Sequence, residues 1–212
     1  MKTYKVIDIV SKAPNTFCLR VERPDYQIRA GQCFNVGIPG FDVNREYSMY
    51  SDANAPFLDF LIRHVEDGLV SQRLKKLKPN DHVEIDGPYG EFCLPSDWVN
   101  KEFVLIGSGT GIAPFHSFVK TYPSLNYKVI HGVRVLEECY DQQDYISGRY
   151  IPCLSRGEGA LKYRVTDYIS TNQQKKDAYF YLCGNRNMII DSVEILLSQG
   201  ISGSQIITEV FF

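Results

Sequence analysis

The run Gly107-Ser108-Gly109-Thr110-Gly111-Ile112-Ala113-Pro114 directly follows the apolar stretch Phe103-Val104-Leu105-Ile106. Glycines at a strand-to-helix junction let the backbone approach a pyrophosphate, and the helix start adds N–H donors and a favourable dipole. The spacing is GxGxGxxP and not the common GxGxxG, so a plain tight turn is the alternative reading. A second group is Arg45-Glu46-Tyr47-Ser48-Met49-Tyr50-Ser51. On a strand, Arg45, Tyr47, Met49 and Ser51 would share one face, and Glu46, Ser48 and Tyr50 the other. A third, Gly68-Leu69-Val70-Ser71, opens a helical pattern in which Val70, Leu74 and Leu77 recur at i, i+4 and i+7. Free N–H groups at such a start suit a phosphate. Taken singly, the second group also reads as a barrel strand with a polar outer face, and Ser71 as an early-turn polar residue.

The elements that must position these residues divide the chain in two. Tyr4 to Val10, Thr16 to Val21, Gln32 to Ile38, Glu46 to Ser51, Leu58 to Val65 and His82 to Asp86 are short, rich in β-branched or aromatic residues, and punctuated by Gly, Pro, Asn and Asp. They predict an antiparallel barrel or sandwich, interrupted by one helix that starts just after Gly68. From about Asn100 the rhythm becomes strand–helix alternation: Phe103 to Ile106, Gly111 to Lys120, Lys128 to Val133, a polar stretch from Leu136 to Tyr145, Tyr150 to Leu154, a short helix near Val165 to Ile169, Ala178 to Cys183, a helix carrying Met188, Ile189, Val193, Ile195 and Leu196, and Gln205 to Val210. Alternation of this kind predicts a parallel sheet with right-handed crossovers. Pro95, Ser96 and Asp97 interrupt both patterns, which puts the boundary between domains 1–97 and 98–212.

With 212 residues, 44% of them hydrophobic and 23% charged, the chain can form two compact domains with real cores. A formal net charge of -2 gives no broad basic field, so nucleic acid is not an expected partner. Cys18, Cys33, Cys93, Cys139, Cys153 and Cys183 form no CxxC pair and no four-cysteine cluster. No metal site is expected, and the cysteines read as reduced thiols of a cytoplasmic protein. No stretch approaches the ~20 apolar residues that span a bilayer, and the N-terminus has no apolar leader, so a protein outside the membrane is expected.

Together the segments resemble the ferredoxin–NADP reductase family over nearly the full chain. The likeness is carried by Arg45 to Ser51 (RxYSxxS), Gly87-Pro88-Tyr89-Gly90-Glu91-Phe92, Gly107 to Pro114, Tyr181-Leu182-Cys183-Gly184-Asn185 and the ending Glu209-Val210-Phe211-Phe212. The resemblance implies a six-stranded antiparallel β-barrel with one helix that binds flavin, followed by an α/β domain with a five-stranded parallel sheet that binds a nucleotide. It implies FAD rather than FMN, and NADP(H) as substrate. The function implied is electron transfer between NADPH and a separate one-electron carrier, ferredoxin or flavodoxin, by hydride transfer at flavin N5 and single-electron release. The alternatives are the reductase component of an oxygenase, a reductase of free flavin or ferric compounds, and a non-catalytic redox sensor or electron-transfer subunit.

By the same resemblance, Arg45 pairs with a flavin phosphate, Tyr47 packs on the ring system and Ser48 lies near N5. The backbone of Arg63, His64 and Val65 runs past the flavin, while Gly68, Leu69, Val70 and Ser71 hold phosphate. His64 reads as a structural histidine ahead of a proton relay. Gly109, Thr110 and Gly111 sit against the pyrophosphate, and Cys183-Gly184 borders the nicotinamide, with Cys183 a contact residue and not a nucleophile. Arg134, and Arg156 in Ser155-Arg156, are the cations for the extra ribose phosphate of NADP. No acidic residue follows the second strand of this half until Glu137, so an NAD-type ribose clasp is not expected. Glu209 supplies a carboxylate near the active site. Either Phe211 or Phe212 covers the flavin, the other reading being that both are core. The oligomeric state is open.

Overall fold

The computed structural model describes residues 1–156 and 163–211. They form two compact units, Met1–Cys93 together with His116–Thr121, and Leu94–Phe115 together with the residues from Tyr122 onward.

The first unit contains strands β1 (Lys2–Ala13), β2 (Thr16–Glu22), β3 (Cys33–Ile38), β4 (Phe41–Ser48), β5 (Phe57–Arg63) and β6 (His82–Tyr89), with helix α1 (Ser71–Lys76) between the last two. The strands form one antiparallel sheet in the order β4-β3-β6-β1-β2-β5. Its two edges meet where Met49 bridges Phe60 and the Tyr50 N–H donates to the Asp59 carbonyl at 2.8 Å, which closes a barrel. Inside, Leu19, Val21, Val36, Phe60 and Val83 are fully buried, and Phe34 meets Phe60 edge to face at 5.8 Å. Truncating a ring at such a site costs about 3–5 kcal/mol.

Two expectations change here. The predicted strand Glu46–Ser51 starts earlier, at Phe41, and its regular pairing stops at Ser48. Residues 48–51 are then all buried rather than alternating, because the chain leaves β3 and crosses to β5. Helix α1 begins at Ser71 and not directly after Gly68; Val70 and Leu74 supply its buried face.

The second unit contains β7 (Glu102–Ser108), β8 (Asn126–Val133), β9 (Tyr150–Leu154), β10 (Tyr179–Asn185) and β11 (Ile206–Phe211), with helices α3 (Val165–Thr171) and α4 (Arg186–Ser198) and the first turn of α2 (Ala113–Thr121). All neighbouring strands are parallel, in the order β11-β10-β7-β8-β9. The central strands β7 and β10 are buried along nearly their whole length, as a sheet covered on both faces requires. Val104, Ile106, Phe180 and Leu182 pack against Ile169 and Leu196 of α3 and α4. The polar stretch 136–145 forms no crossover helix: it holds two single 3-10 turns, Leu136–Glu138 and Gln142–Asp144. The later half of α2 belongs to the first unit, where His116 stacks on Tyr50 at 3.9 Å and donates from Nδ1 to the Tyr50 carbonyl at 2.7 Å. No helix among the described residues is long and apolar enough to cross a membrane.

Candidate functional site

In the barrel unit the RxYSxxS stretch lies at the seam between β4 and β5. Arg45 is exposed, and its side chain donates to the Asn44 carbonyl at 2.9 Å. Tyr47 is half-buried; desolvation, partly opposed by the Arg45 charge, pushes its phenol up to about 12, so it stays neutral. Ser48 is buried. At the end of β5, Arg63 is exposed and the His64 N–H is held by the Asn15 carbonyl at 2.8 Å. The His64 Nδ1 is buried with no hydrogen-bond partner among the described residues. The Val65 N–H donates to Ser71 Oγ at 3.2 Å, which ties this strand end to the start of α1. Gly68 permits the closure, since a Cβ there would stand 2.6 Å from Ser71 Oγ. Val65 and Leu69 remain exposed beside it. Arg73 lies over the Phe41 ring at 3.9 Å, so α1 also touches the start of β4.

In the second unit the predicted residues gather at the carboxyl edge of the parallel sheet, where ligands of open α/β sheets bind. The glycine run leaves β7 through a 3-10 turn, Gly109–Ile112, and enters α2. Gly109 sits at φ +55°, in the left-handed region, with nothing within 4 Å of where a Cβ would be; it serves conformation and not space. Gly111 serves space: a Cβ there would lie 2.4 Å from the Cys183 carbonyl oxygen and 2.7 Å from the Gly184 Cα. The loop thus rests on the end of β10, and the Asn185 N–H donates to Ser108 Oγ at 2.9 Å to hold it there. Asn185 also caps α4, its Oδ1 accepting from Asn187 and Met188.

Cys183 is fully buried and pairs in register with Glu209 of β11, its thiol 3.7 Å from Glu209 Oε2. Burial first, and then the neighbouring carboxylate, push this thiol well above the usual range, so it is protonated and non-nucleophilic near neutrality. Phe211 is half-buried at the end of β11, opposite Asn185. Phe212 lies outside the described residues.

At the ends of β8 and β9 the backbone brings the two arginines side by side: the Ser155 N–H donates to the Val133 carbonyl and the Arg156 N–H to the Arg134 carbonyl, each at 2.9 Å. Their side chains differ. Arg156 is exposed, with no ion-pair partner among the described residues. Arg134 is clamped by Glu138, whose carboxylate accepts from the Arg134 backbone N–H and Nε at 2.9 Å and also from Nη2. Glu138, one residue beyond the expected first acidic position Glu137, is the carboxylate of this turn that pairs with Arg134.

Sequence reasoning missed three further residues. Glu138 is one. His131 of β8 and Tyr150 of β9 are the others: His131 is fully buried, with Nε2 2.8 Å from the Gly109 carbonyl and Nδ1 2.7 Å from the Tyr150 hydroxyl. Burial pushes the His131 imidazole down to about 4, which keeps it neutral. The one available signal was its place in the strand, on the same face as Val129 and Val133 and hence inward.

Residues 3–93 match the family described as "Oxidoreductase FAD-binding domain". The toluate 1,2-dioxygenase electron transfer component of Pseudomonas putida is 30% identical over 85% of this chain, and the chain spans 58% of that protein. The flavodoxin/ferredoxin–NADP reductase of Escherichia coli is 26% identical over 90% of this chain and 87% of its own length. Among solved structures, a ferredoxin NADP+ reductase from Neisseria gonorrhoeae with bound FAD and NADP superposes with a TM-score of 0.89 at 23% identity, over 100% of this chain and 98% of that one. The barrel stretch is thus matched by an FAD-binding oxidoreductase model, and the chain as a whole is similar in sequence to reductase relatives and shares the two-domain fold of a ferredoxin NADP+ reductase.

Proposed function

We propose that the protein takes electrons from NADPH and passes them singly to a separate carrier protein, ferredoxin or flavodoxin. The observation that carries this reading is the backbone contact at Gly111, which gathers a pyrophosphate-type glycine loop, Cys183-Gly184 and Glu209 at one sheet edge in a chain whose other unit is an FAD-binding domain.

The barrel residues fit FAD. Arg45 keeps an exposed planar fork suited to a phosphate, Val65 and Leu69 leave apolar surface beside Gly68 to Ser71, and the unsatisfied His64 Nδ1 fits a hydrogen-bonding ligand close by. When bound, flavin supplies hydride acceptance at N5 and the exchange of single electrons. Arg45, Arg63 to Val65 and Gly68 to Ser71 hold it, Tyr47 packs on it as a neutral ring, and Ser48 offers a hydroxyl near the reacting edge. In the second unit the N–H groups of Gly109 to Gly111 take the pyrophosphate. The Cys183 thiol borders the nicotinamide without attacking it, Glu209 keeps negative charge nearby, and Phe211 or Phe212 covers the flavin. Arg156, with Arg134 and Ser155 beside it, takes the extra ribose phosphate. The protein's own part is binding, orientation and electrostatics.

A second reading, the reductase component of an oxygenase, is favoured by the 30% identity to the toluate dioxygenase component. Anaerobic reduction of the purified flavoprotein by NADPH or NADH, followed by ferredoxin, flavodoxin or an oxygenase component, decides between them. Bleaching by NADPH and reoxidation by a carrier is the expected result; bleaching with no transfer to any carrier overturns it.

A further inference from the structure

The Gly109 carbonyl is an acceptor only, so the His131 Nε2 that meets it at 2.8 Å carries the proton. In a neutral ring Nδ1 is then the acceptor, and the Tyr150 hydroxyl at 2.7 Å donates to it. The tautomer is fixed from both sides. The Gly109 C=O and the Thr110 N–H belong to one planar trans peptide and point in opposite directions. A carbonyl drawn inward onto a fully buried imidazole therefore aims the Thr110 N–H outward. With the plane reversed, a carbonyl oxygen would face whatever anion the loop receives. Gly109, at φ +55° with open space around it, does nothing by itself to prevent that reversal.

We propose that His131, held by Tyr150, is a positioning residue that orients the Gly109–Thr110 peptide so that the Thr110 N–H faces the pyrophosphate of the coenzyme. This rests on the reading of the glycine loop as a dinucleotide site. His131 touches neither coenzyme nor flavin; it acts through one peptide plane.

The test compares two hydride donors in anaerobic flavin reduction: NADPH, and a benzyl dihydronicotinamide that carries no phosphate. In His131→Leu, which keeps volume but loses the donor, the rate ratio of NADPH to the phosphate-free donor falls roughly tenfold, chiefly through KM. NADH loses as much as NADPH, because both carry the pyrophosphate. His131→Gln, whose side-chain amide donates from nearly the same place, restores most of the ratio. Tyr150→Phe, which keeps the imidazole but frees Nδ1, lowers the ratio by a smaller factor and gives the answer if the leucine variant does not fold. An unchanged ratio in His131→Leu, or in Tyr150→Phe where the leucine variant does not fold, overturns the inference, as does an equal loss with both donors or a glutamine variant as impaired as the leucine one. A wild-type protein reduced by the phosphate-free donor but by neither NADPH nor NADH overturns the dinucleotide reading itself, and this inference with it.

Discussion

Arg134 and Arg156 stand at adjacent strand ends, yet their charges are not equally available. Glu138 satisfies Nε and Nη2 of Arg134 and sets a carboxylate beside it, whereas Arg156 projects without an ion-pair partner among the described residues. Among the described residues, an anion arriving here would meet one cation without an ion-pair partner and one largely neutralised. Arg156→Ala should therefore lower the NADPH-to-NADH ratio of kcat/KM by about tenfold or more, one charged hydrogen bond being worth ~1.5–3 kcal/mol. Glu138→Gln, which keeps an acceptor but removes the charge, should raise the same ratio; an unchanged ratio in both variants would show that neither arginine reads the extra phosphate. His131 makes a separate prediction. Its imidazole titrates near 6.5 when unfolded and near 4 when folded, so between those values only the unfolded chain binds the proton. Its contribution to stability is whole above pH 6.5 and is lost as pH falls toward 4, a loss of roughly 3 kcal/mol. Urea titrations at pH 7 and pH 5 should show a smaller drop for His131→Gln than for wild type, and equal drops would contradict the assignment. That both arginines follow strand ends was legible in the sequence, because strand ends can be located by pattern. Glu138 was not, because its reach back to Arg134 depends on a 3-10 turn that composition does not announce.

At the level of elements, hydrophobic periodicity located the strands of both sheets, since alternation in the barrel and continuous apolar runs in β7 and β10 follow from burial on one face or two. Periodicity failed where a segment changes partner. Residues 48–51 were read as alternating, but alternation assumes one neighbouring sheet, and this stretch passes from β3 to β5. It also failed between β8 and β9, where buried Tyr140 and Tyr145 anchor a connection that has no helical repeat. The junction between the glycine loop and β10 is the element contact on which the proposed site of the second unit depends. Gly111→Ala would drive a methyl into the backbone of Cys183, and backbone gives less than a side chain. The expected cost is about 1–3 kcal/mol, with loss of coenzyme affinity and retention of flavin. Gly203→Ala, where a Cβ meets nothing within 4 Å, is the matched control. Equal stabilities in denaturant titration would mean that the loop does not rest on β10 in solution.

For the whole molecule, the two sets of motifs separate along the sequence, but contiguity along the chain is not contiguity in space. The first compact unit also takes in His116–Thr121, whose histidine stacks on Tyr50. That assignment is invisible to a linear reading, because the apolar pattern of α2 says which face is buried and not against what. The barrel closes where Met49 bridges Phe60 of β5, and Met49 lies in the stretch that also carries Arg45, Tyr47 and Ser48. If these residues hold FAD as proposed, cofactor retention and shelf life are one property here. A protein stripped of FAD would breathe at this suture and bare two strand edges at once, each a template for a neighbouring chain. Light scattering on the stripped protein should rise with time and concentration, and FAD added beforehand should suppress it while raising Tm in a dose-dependent way. Stripped protein that stays monodisperse would mean that the suture holds without its cofactor, and storage of this flavoprotein would then need no added FAD.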